Sequence, residues 1–264
     1  MMDVIFVIIL IIIVGILGYL VKSLSLSGAF AAMMIGVTVY IGFQVKGLIL
    51  LGVFFASSSF WSKYKSSVKK PIEDKLAKGA TRDWRQVFAN GGAAALFSLF
   101  YSISMDSFWV IGFVVALASA NSDTWASEIG SLSKKNPIYI LTGKRVEKGT
   151  SGAVSGLGSI AGLSGSLLVA VVGVYFFQMS TISAILIFLF GFIGNIIDTL
   201  LGAVCQQLFR CTSCGIETEK RIHCDQPTVR IKGLALIDND MVNFLSGFIA
   251  SILAIGFFTL FLSL

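Results

Sequence analysis

The feature that most constrains this chain is the recurrence, along nearly its whole length, of apolar runs long enough to cross the hydrocarbon core of a bilayer. A helix rising 1.5 Å per residue needs about 20 predominantly apolar residues for that crossing. Eight runs qualify as candidate spans: 4–21, 26–43, 47–61, 87–103, 108–129, 152–177, 182–204 and 241–264. Hydrophobic residues make up 56% and charged residues 13% of the 264, and a soluble fold has too little interior to hide that apolar share. The expectation is an all-α, polytopic transmembrane helix bundle of about eight spans, built as a single integral membrane domain over 1–264. The second and third runs are short and joined only by Gln44, Val45 and Lys46, which predicts a tight helical hairpin or a re-entrant pair. No Lys or Arg precedes the first run and no clear small-residue cleavage site follows it, so it reads as a retained helix rather than a cleaved signal peptide.

Charge then orients the bundle. Apart from Lys22 and Lys46, the 20 Lys and Arg fall in three segments, 63–85, 131–149 and 206–238, and the loops around Asp106 and 178–181 carry none. Basic residues in short loops stay cytoplasmic. These three segments are therefore expected inside and both termini outside. The formal net charge of +6 becomes a one-sided feature, suited to anionic headgroups and phosphates. The basic loops lack stacked aromatics or a nucleic-acid-binding motif, so membrane lipids, not nucleic acid, are the expected partners. The expected location is the cell membrane of a prokaryote, with the active face cytoplasmic.

Against that background the intramembrane polar residues stand out. An ionised side chain inside a span costs roughly 2.5–3.5 kcal/mol on insertion scales, so Asp123, Glu128 and Asp198 need a reason. Asn121, Thr124 and Glu128 lie at i, i+3, i+7 on one helical face, and Asp123 and Ser127 at i, i+4 on another. Two polar faces leave little surface for lipid and predict a helix central in the bundle, or one broken near Asp123. In the seventh run Gly191, Asn195, Asp198 and Gly202 share a stripe whose glycines let a helix or ligand approach closely. Asp123-Thr124 and Asp198-Thr199 form a faint repeat on two helices running the same way. Asp238-Asn239-Asp240 opens the last run. Helix capping accounts for acids there, but not for Asn243 one turn further in.

Three polar clusters on separate helices at one depth predict a shared site. Its candidate catalytic residues are Asp123, Asp198, Glu128 and Asp240, with Asn121, Asn195, Asn239 and Asn243 as candidate ligand contacts. Hard oxygen donors suit Mg²⁺, which takes one or two protein carboxylates and leaves room for phosphate oxygens; Asp123 and Asp198 are its expected ligands. A buried hydrogen-bonded network that fixes helix packing is the structural alternative.

Two loops add chemistry. Lys144, Arg145, Lys148, Gly149, Thr150, Ser151 and Gly152 run into the sixth span, and a glycine-rich helix start with free amides is a natural phosphate cradle. A flexible, positive-inside loop with a Thr/Ser cap is the plainer alternative. No Walker A sequence occurs, so any nucleotide is held differently. In 206–238, Cys211-x2-Cys214 is followed by His223-Cys224, ligand types that fit a structural, four-ligand zinc site. Reduced, unliganded thiols are the alternative, and a cytoplasmic face argues against disulfides. Cys205 lies in a span and reads as packing.

The run from Asp123 through Thr124, Trp125, Ala126, Ser127, Glu128 and Ile129 to Gly130 resembles the hallmark of an integral membrane family, domain of unknown function ninety-two, which includes plant phytyl-phosphate kinase and animal transmembrane protein nineteen. The likeness continues through Lys144–Gly152, Asp198–Ala203 and Leu236–Asn243 in the family's order. That family is distantly similar to CTP-using dolichol kinases and phosphatidate cytidylyltransferases. The resemblance implies a membrane enzyme that binds a CTP-like nucleotide with Mg²⁺ and phosphorylates a prenyl monophosphate to the diphosphate. Cytidylyl transfer to a lipid phosphate is the enzymatic alternative. A carrier with paired intramembrane Asp residues and a non-catalytic adaptor organised by the zinc-like loop are the others. A carrier would place its polar groups near the midplane, whereas here they gather at one boundary.

Overall fold

The computed structural model describes residues 2–73, 76–77 and 79–261. Helices dominate: α1 (Met2–Leu20), α2 (Leu26–Lys63), α3 (Ser66–Glu73), α4 (Trp84–Ser104), α5 (Phe108–Gly130), α6 (Gly156–Phe177), α7 (Thr181–Val204) and α8 (Asn239–Phe261). The expected all-α polytopic bundle is what the chain forms. Among the described residues, five helices (α2, α4, α6, α7 and α8) are long and apolar enough to cross a membrane by length and composition, and α1 holds a shorter apolar segment. Each expected span coincides with a helix or half-helix; the last three residues of the final one lie outside the described residues.

The second and third runs form one 38-residue α2 that reverses at a single residue. Gln44 takes φ 52°, ψ −145°, the non-helical point in the element. The two arms fold back on each other, since the Lys63 ammonium at the end of α2 donates to the Val21 carbonyl just before its start. The arms thus form a tight helical pair that reverses at Gln44, the fold-back common to a hairpin and a re-entrant pair. At the turn Phe43 stacks on Tyr101 at 4.7 Å and lies 4.4 Å from Phe113 and 5.5 Å from Phe177, an aromatic plug shared by α2, α4, α5 and α6.

α5 is the axis of the bundle, and it is continuous through Asp123 rather than broken there. Ile111 to Ser119 are all buried, and α2, α4, α6, α7 and α8 all pack on this helix. Small residues make that density attainable, because glycine and alanine let helix backbones approach. A Cβ on Gly191 would stand 2.6 Å from Ala118 Cβ, and one on Gly112 would stand 2.8 Å from Ile255. Gly191 of the α7 stripe thus serves helix packing, while Gly202 lies against Ser151.

The loops at the end opposite the aromatic plug hold short strands that sequence periodicity does not show. β1 (Ile138–Tyr139) pairs antiparallel with β2 (Ala153–Val154). In 206–238, β3 (Leu208–Arg210) is the centre of a three-stranded sheet between β4 (Glu217–Thr218) and β7 (Val229–Lys232), and β5 (Ile222–His223) pairs with β6 (Gln226–Pro227). The Tyr139 hydroxyl donates to the Ala203 carbonyl at 2.9 Å, and Lys232 Nζ donates to the Gly202 carbonyl at 3.3 Å, so both loops are tied to the end of α7.

Both described chain ends lie toward the aromatic plug, and the three basic segments lie at the other end. Single-cysteine labelling in intact cells should mark positions 144 and 220 from the cytoplasmic side only, and positions 104 and 179 from outside only. Labelling of 144 and 179 from the same side contradicts this orientation.

Candidate functional site

At the basic end the helix ends and loops enclose one cleft of about 800 Å³. α5 lends it Asp123, Thr124, Ser127 and Glu128; α7 lends Asn195, Asp198 and Thr199; α8 lends Asn239, Asp240 and Asn243. The three clusters that the sequence places at one depth do share a cavity. Thr124 and Thr199 each donate back to the carbonyl four residues earlier, at 2.8 and 3.0 Å, so the two Asp-Thr pairs are alike in local geometry as well as in sequence. Ser246 of α8 donates to Asp198 Oδ2 at 3.1 Å. Asp123 has no hydrogen-bond or ion-pair partner among the described residues. Trp125, between these polar positions, turns away to meet Trp61 at 5.7 Å.

The acids are matched by cations that, Lys148 apart, lie outside the stretches that carry the family likeness. Among the described residues the cleft is lined by six carboxylates and six Lys or Arg. Lys69 is 3% exposed and is fixed on Glu128 at 2.6 Å and on the Trp61 carbonyl at 2.5 Å. Arg85 pairs with Asp238 at 2.5 Å and lies 3.7 Å from Asp240. Arg82 is pinned through its backbone to the turn between α1 and α2, donating to the Ser23 carbonyl and accepting from Ser25 N–H at 2.9 Å. Burial holds Arg82 below its ordinary pKa, opposed by the nearby Glu128 carboxylate. Asp83 beside it closes a capping box with Gln86 that starts α4.

Three expectations need correction. Asn121 does not face the cleft. It is fully buried, accepting from Ser57 at 2.9 Å and Ser58 at 3.1 Å and donating to the Gly165 carbonyl at 2.8 Å, so it brackets α2, α5 and α6. Lys144 and Arg145 lie on the outer side of their loop, where Arg145 donates to the Asn136 carbonyl at 2.8 Å. Lys148 to Gly152 do line the cleft, but not as a helix start: α6 begins at Gly156 behind a Ser155 cap, and Gly149 and Gly152 both take φ 84° in tight turns. Glu128, expected to be catalytic, does line the cleft and pairs there with Lys69. Asp238 is the helix cap the sequence allows, accepting from Met241 N–H at 3.0 Å.

The loop 206–238 joins the cleft through Glu219, Lys220 and Arg221. Ser151 donates to Gln206 Oε1 at 2.8 Å, and Gln206 Nε2 donates to Glu219 at 2.7 Å, which links the glycine loop to this lobe. Burial pushes Glu219 up, and its hydrogen bonds from Ala77 N–H and Gln206 pull it back.

Just beyond, the donor atoms of Cys211, Cys214, His223 and Cys224 all lie within 4.8 Å of one another. His223 Nδ1 is 3.5 Å from Cys214 Sγ and 3.2 Å from Cys224 Sγ. Tetrahedral zinc with bonds of about 2.0–2.3 Å sets its ligands roughly 3.3–3.8 Å apart, so the donor set and spacing fit. Adjacent His223 and Cys224 point to one side because Cys224 and Asp225 take φ 53° and 56°, the two left-handed positions of a tight hairpin between β5 and β6. Cys211 is pulled down to about 6, chiefly by the Cys214 N–H, while Cys224 is pushed up to about 11, chiefly by its hydrogen bond with Cys214. The carboxylates, by contrast, share a cleft without converging on one point among the described residues. That arrangement suits Mg²⁺, which needs few protein ligands when phosphate oxygens supply the rest.

Fold and site together define a polytopic membrane protein with a charged cleft at one end of its bundle. The chain belongs to the family described as integral membrane protein DUF92, matched over residues 9–251. It is 31% identical over 258 residues to Protein PGR of Arabidopsis thaliana, covering 88% of each chain. It is 27% identical over 241 residues to Protein VTE6, chloroplastic, of the same plant, covering 89% of this chain and 66% of that one. An uncharacterized membrane protein of Synechocystis, sll0875, is 27% identical over 188 residues, 70% of this chain and 73% of that one. No solved structure matches.

Removing Glu128 leaves the Lys69 ammonium buried without its counter-charge. Glu128→Ala should lower stability by about 3 kcal/mol, the scale of a broken buried pair, and Glu128→Leu with Lys69→Met should recover most of it. Thermal unfolding in detergent checks this; equal loss in single and double variants contradicts the anchoring role.

Proposed function

We propose that the chain is a membrane-embedded phosphoryl transferase that converts a prenyl, phytyl-like monophosphate to the diphosphate with a CTP-type nucleotide as donor. The observation that carries this reading is the single cleft in which Asp123, Asp198 and Asp240 from three helices meet Lys69, Arg82, Arg85 and Lys148 at the basic end of the bundle. Family membership supports it, since the resemblance implies this reaction class.

Phosphoryl transfer asks a protein for positioning, charge neutralisation and exclusion of water more than for covalent catalysis. An oxygen of the lipid phosphate attacks the donor's terminal phosphorus, the bond from that phosphorus to the bridging oxygen breaks, and a nucleoside diphosphate leaves. The attacking phosphate is already ionised near pH 7, so no strong general base is needed. Asp123 and Asp198 are therefore read as cation-holding residues, with Asn195 and Asn243 as neutral contacts beside them. Asp240 is oriented by Arg85. Lys148 and the Gly149–Gly152 turns face the cleft where donor phosphates would lie, and Lys220 and Arg221 close it from the lobe. A bound Mg²⁺ would supply charge neutralisation between carboxylate and phosphate oxygens. In the lobe, Cys211, Cys214, His223 and Cys224 are read as a structural zinc site, closed by four protein ligands with no open position for water.

Metal analysis of protein purified without chelator should give about one zinc per chain, and Cys211→Ser with Cys214→Ser should remove it. A metal-free preparation from zinc-replete cells returns the four residues to plain thiols and imidazole.

The reaction is tested with purified protein, Mg²⁺, radiolabelled CTP or ATP and a panel of prenyl monophosphates, with lipid products separated. Asp123→Asn and Asp198→Asn should each abolish transfer while the protein still folds, because Asn keeps the volume and loses the charge a hard cation requires. Mg²⁺ with nucleotide should raise the melting temperature of the unsubstituted protein and leave both variants unmoved. A CMP-lipid product would select the cytidylyl alternative, and full turnover in both variants would overturn the cation-holding roles.

A further inference from the structure

A second cavity, of about 270 Å³, lies between α1, the two arms of α2 and α4. Its walls are apolar: Leu10, Ile11 and Val14 of α1, Ile35 of the first arm of α2, Ile49 and Phe55 of the second. It adjoins the cleft: Arg82, Gln86 and Asn90, at the start of α4, line both. At that junction the Arg82 guanidinium lies over the rings of Phe54 and Phe55, 6.0 Å from each centroid, facing apolar wall on one side and cleft on the other. Along the second arm of α2 the groove is lined from Val45 to Phe55. Ten residues at the helical rise is about 15 Å, half the roughly 30 Å of a bilayer's hydrocarbon, the depth of one leaflet. α1, the outer wall, rests chiefly on the α2 hairpin, so the groove sits at the bundle's edge where a lipid could enter sideways.

We propose that this groove holds the apolar chain of a single-chain phosphomonoester, a prenyl-type monophosphate, with its phosphate drawn past Arg82 into the cleft. The proposal rests on the phosphoryl-transfer reading for the identity of the headgroup, but it makes its own claim about where the chain lies. A charged head and an apolar tail call for a polar cavity beside an apolar one and a cation where they meet, and the geometry supplies all three. Gly52 offers a way to close the groove. It lines the cavity, and a Cβ placed there meets nothing within 4 Å, so a large side chain fills space rather than displacing the fold.

The test uses the full chain in detergent micelles and a prenyl monophosphate bearing a diazirine at the far end of its chain. After irradiation, peptide mapping should place the label on α1 or the second arm of α2, around Leu10, Val14, Val45 and Ile49. Unlabelled prenyl monophosphate should compete, and the corresponding alcohol should compete poorly. Gly52→Trp should cut the labelling about tenfold, the effect of losing contact with a few buried methylenes, with an unchanged melting temperature in the absence of ligand. Arg82→Gln should weaken competition by the phosphate and leave that by the alcohol as it was. Label on other helices, label that Gly52→Trp leaves intact, or no specific label at all overturns the groove. Groove labelling without transfer from any nucleotide leaves the groove standing and removes the kinase reading. Transfer with the label mapped elsewhere does the reverse.

Discussion

A polar side chain at membrane depth has no water to satisfy it and must find its partners inside the protein. α5 meets that constraint in its sharpest form, with Asn121, Ser122, Asp123 and Glu128 on one helix. The other helices are arranged around it as that requires. Ser122 donates to the Gly162 carbonyl at 2.8 Å, Asn121 is bracketed by two helices, and glycines and alanines on α6, α7 and α8 bring the neighbours close. Toward the aromatic plug the same helix is apolar and tightly enclosed. Toward the basic end the enclosure opens, and there the charged side chains face a cavity.

The loops form a second layer over that opening. Ser151, Gln206 and Glu219 link the glycine turns to the β lobe, while Tyr139 and Lys232 fasten both to the end of α7. The Cys/His cluster lies within the same lobe as Lys220 and Arg221, with only Ile222 between Arg221 and His223. Whatever fixes the four donors also fixes the two cations over the cleft.

Much of this was legible in the sequence because it is local. Apolar runs set the helices, the two polar faces of 121–128 marked α5 as central, and like-placed Asp-Thr pairs on α5 and α7 marked the cavity. Cys211-x2-Cys214 with His223-Cys224 marked its cluster by residue type and spacing. What escaped depends on long-range placement. Lys69, Arg82, Arg85, Lys220 and Arg221 sit among many loop cations, and hydropathy cannot say which of them fold inward. A local signal existed for one stretch: Asp83-x2-Gln86 is a capping box, which sets Arg82 and Arg85 at a helix start beside the other helix ends. Asn121 and Lys144 were misjudged for the converse reason. Residue type suggested ligand contact, but the facing helix in one case and a two-residue hairpin strand in the other decided their direction.

The reversal at Gln44 bears on how the bundle is put together. Two apolar helices joined through one residue leave almost nothing to be carried across the membrane between them, apart from the ammonium of Lys46. The first arm of α2 therefore has no loop of its own on the far side, and the two arms form one structural unit. Lys63 then clasps the carbonyl of Val21, so the two ends of the hairpin meet at the basic face, at the edge of the bundle and away from its axis.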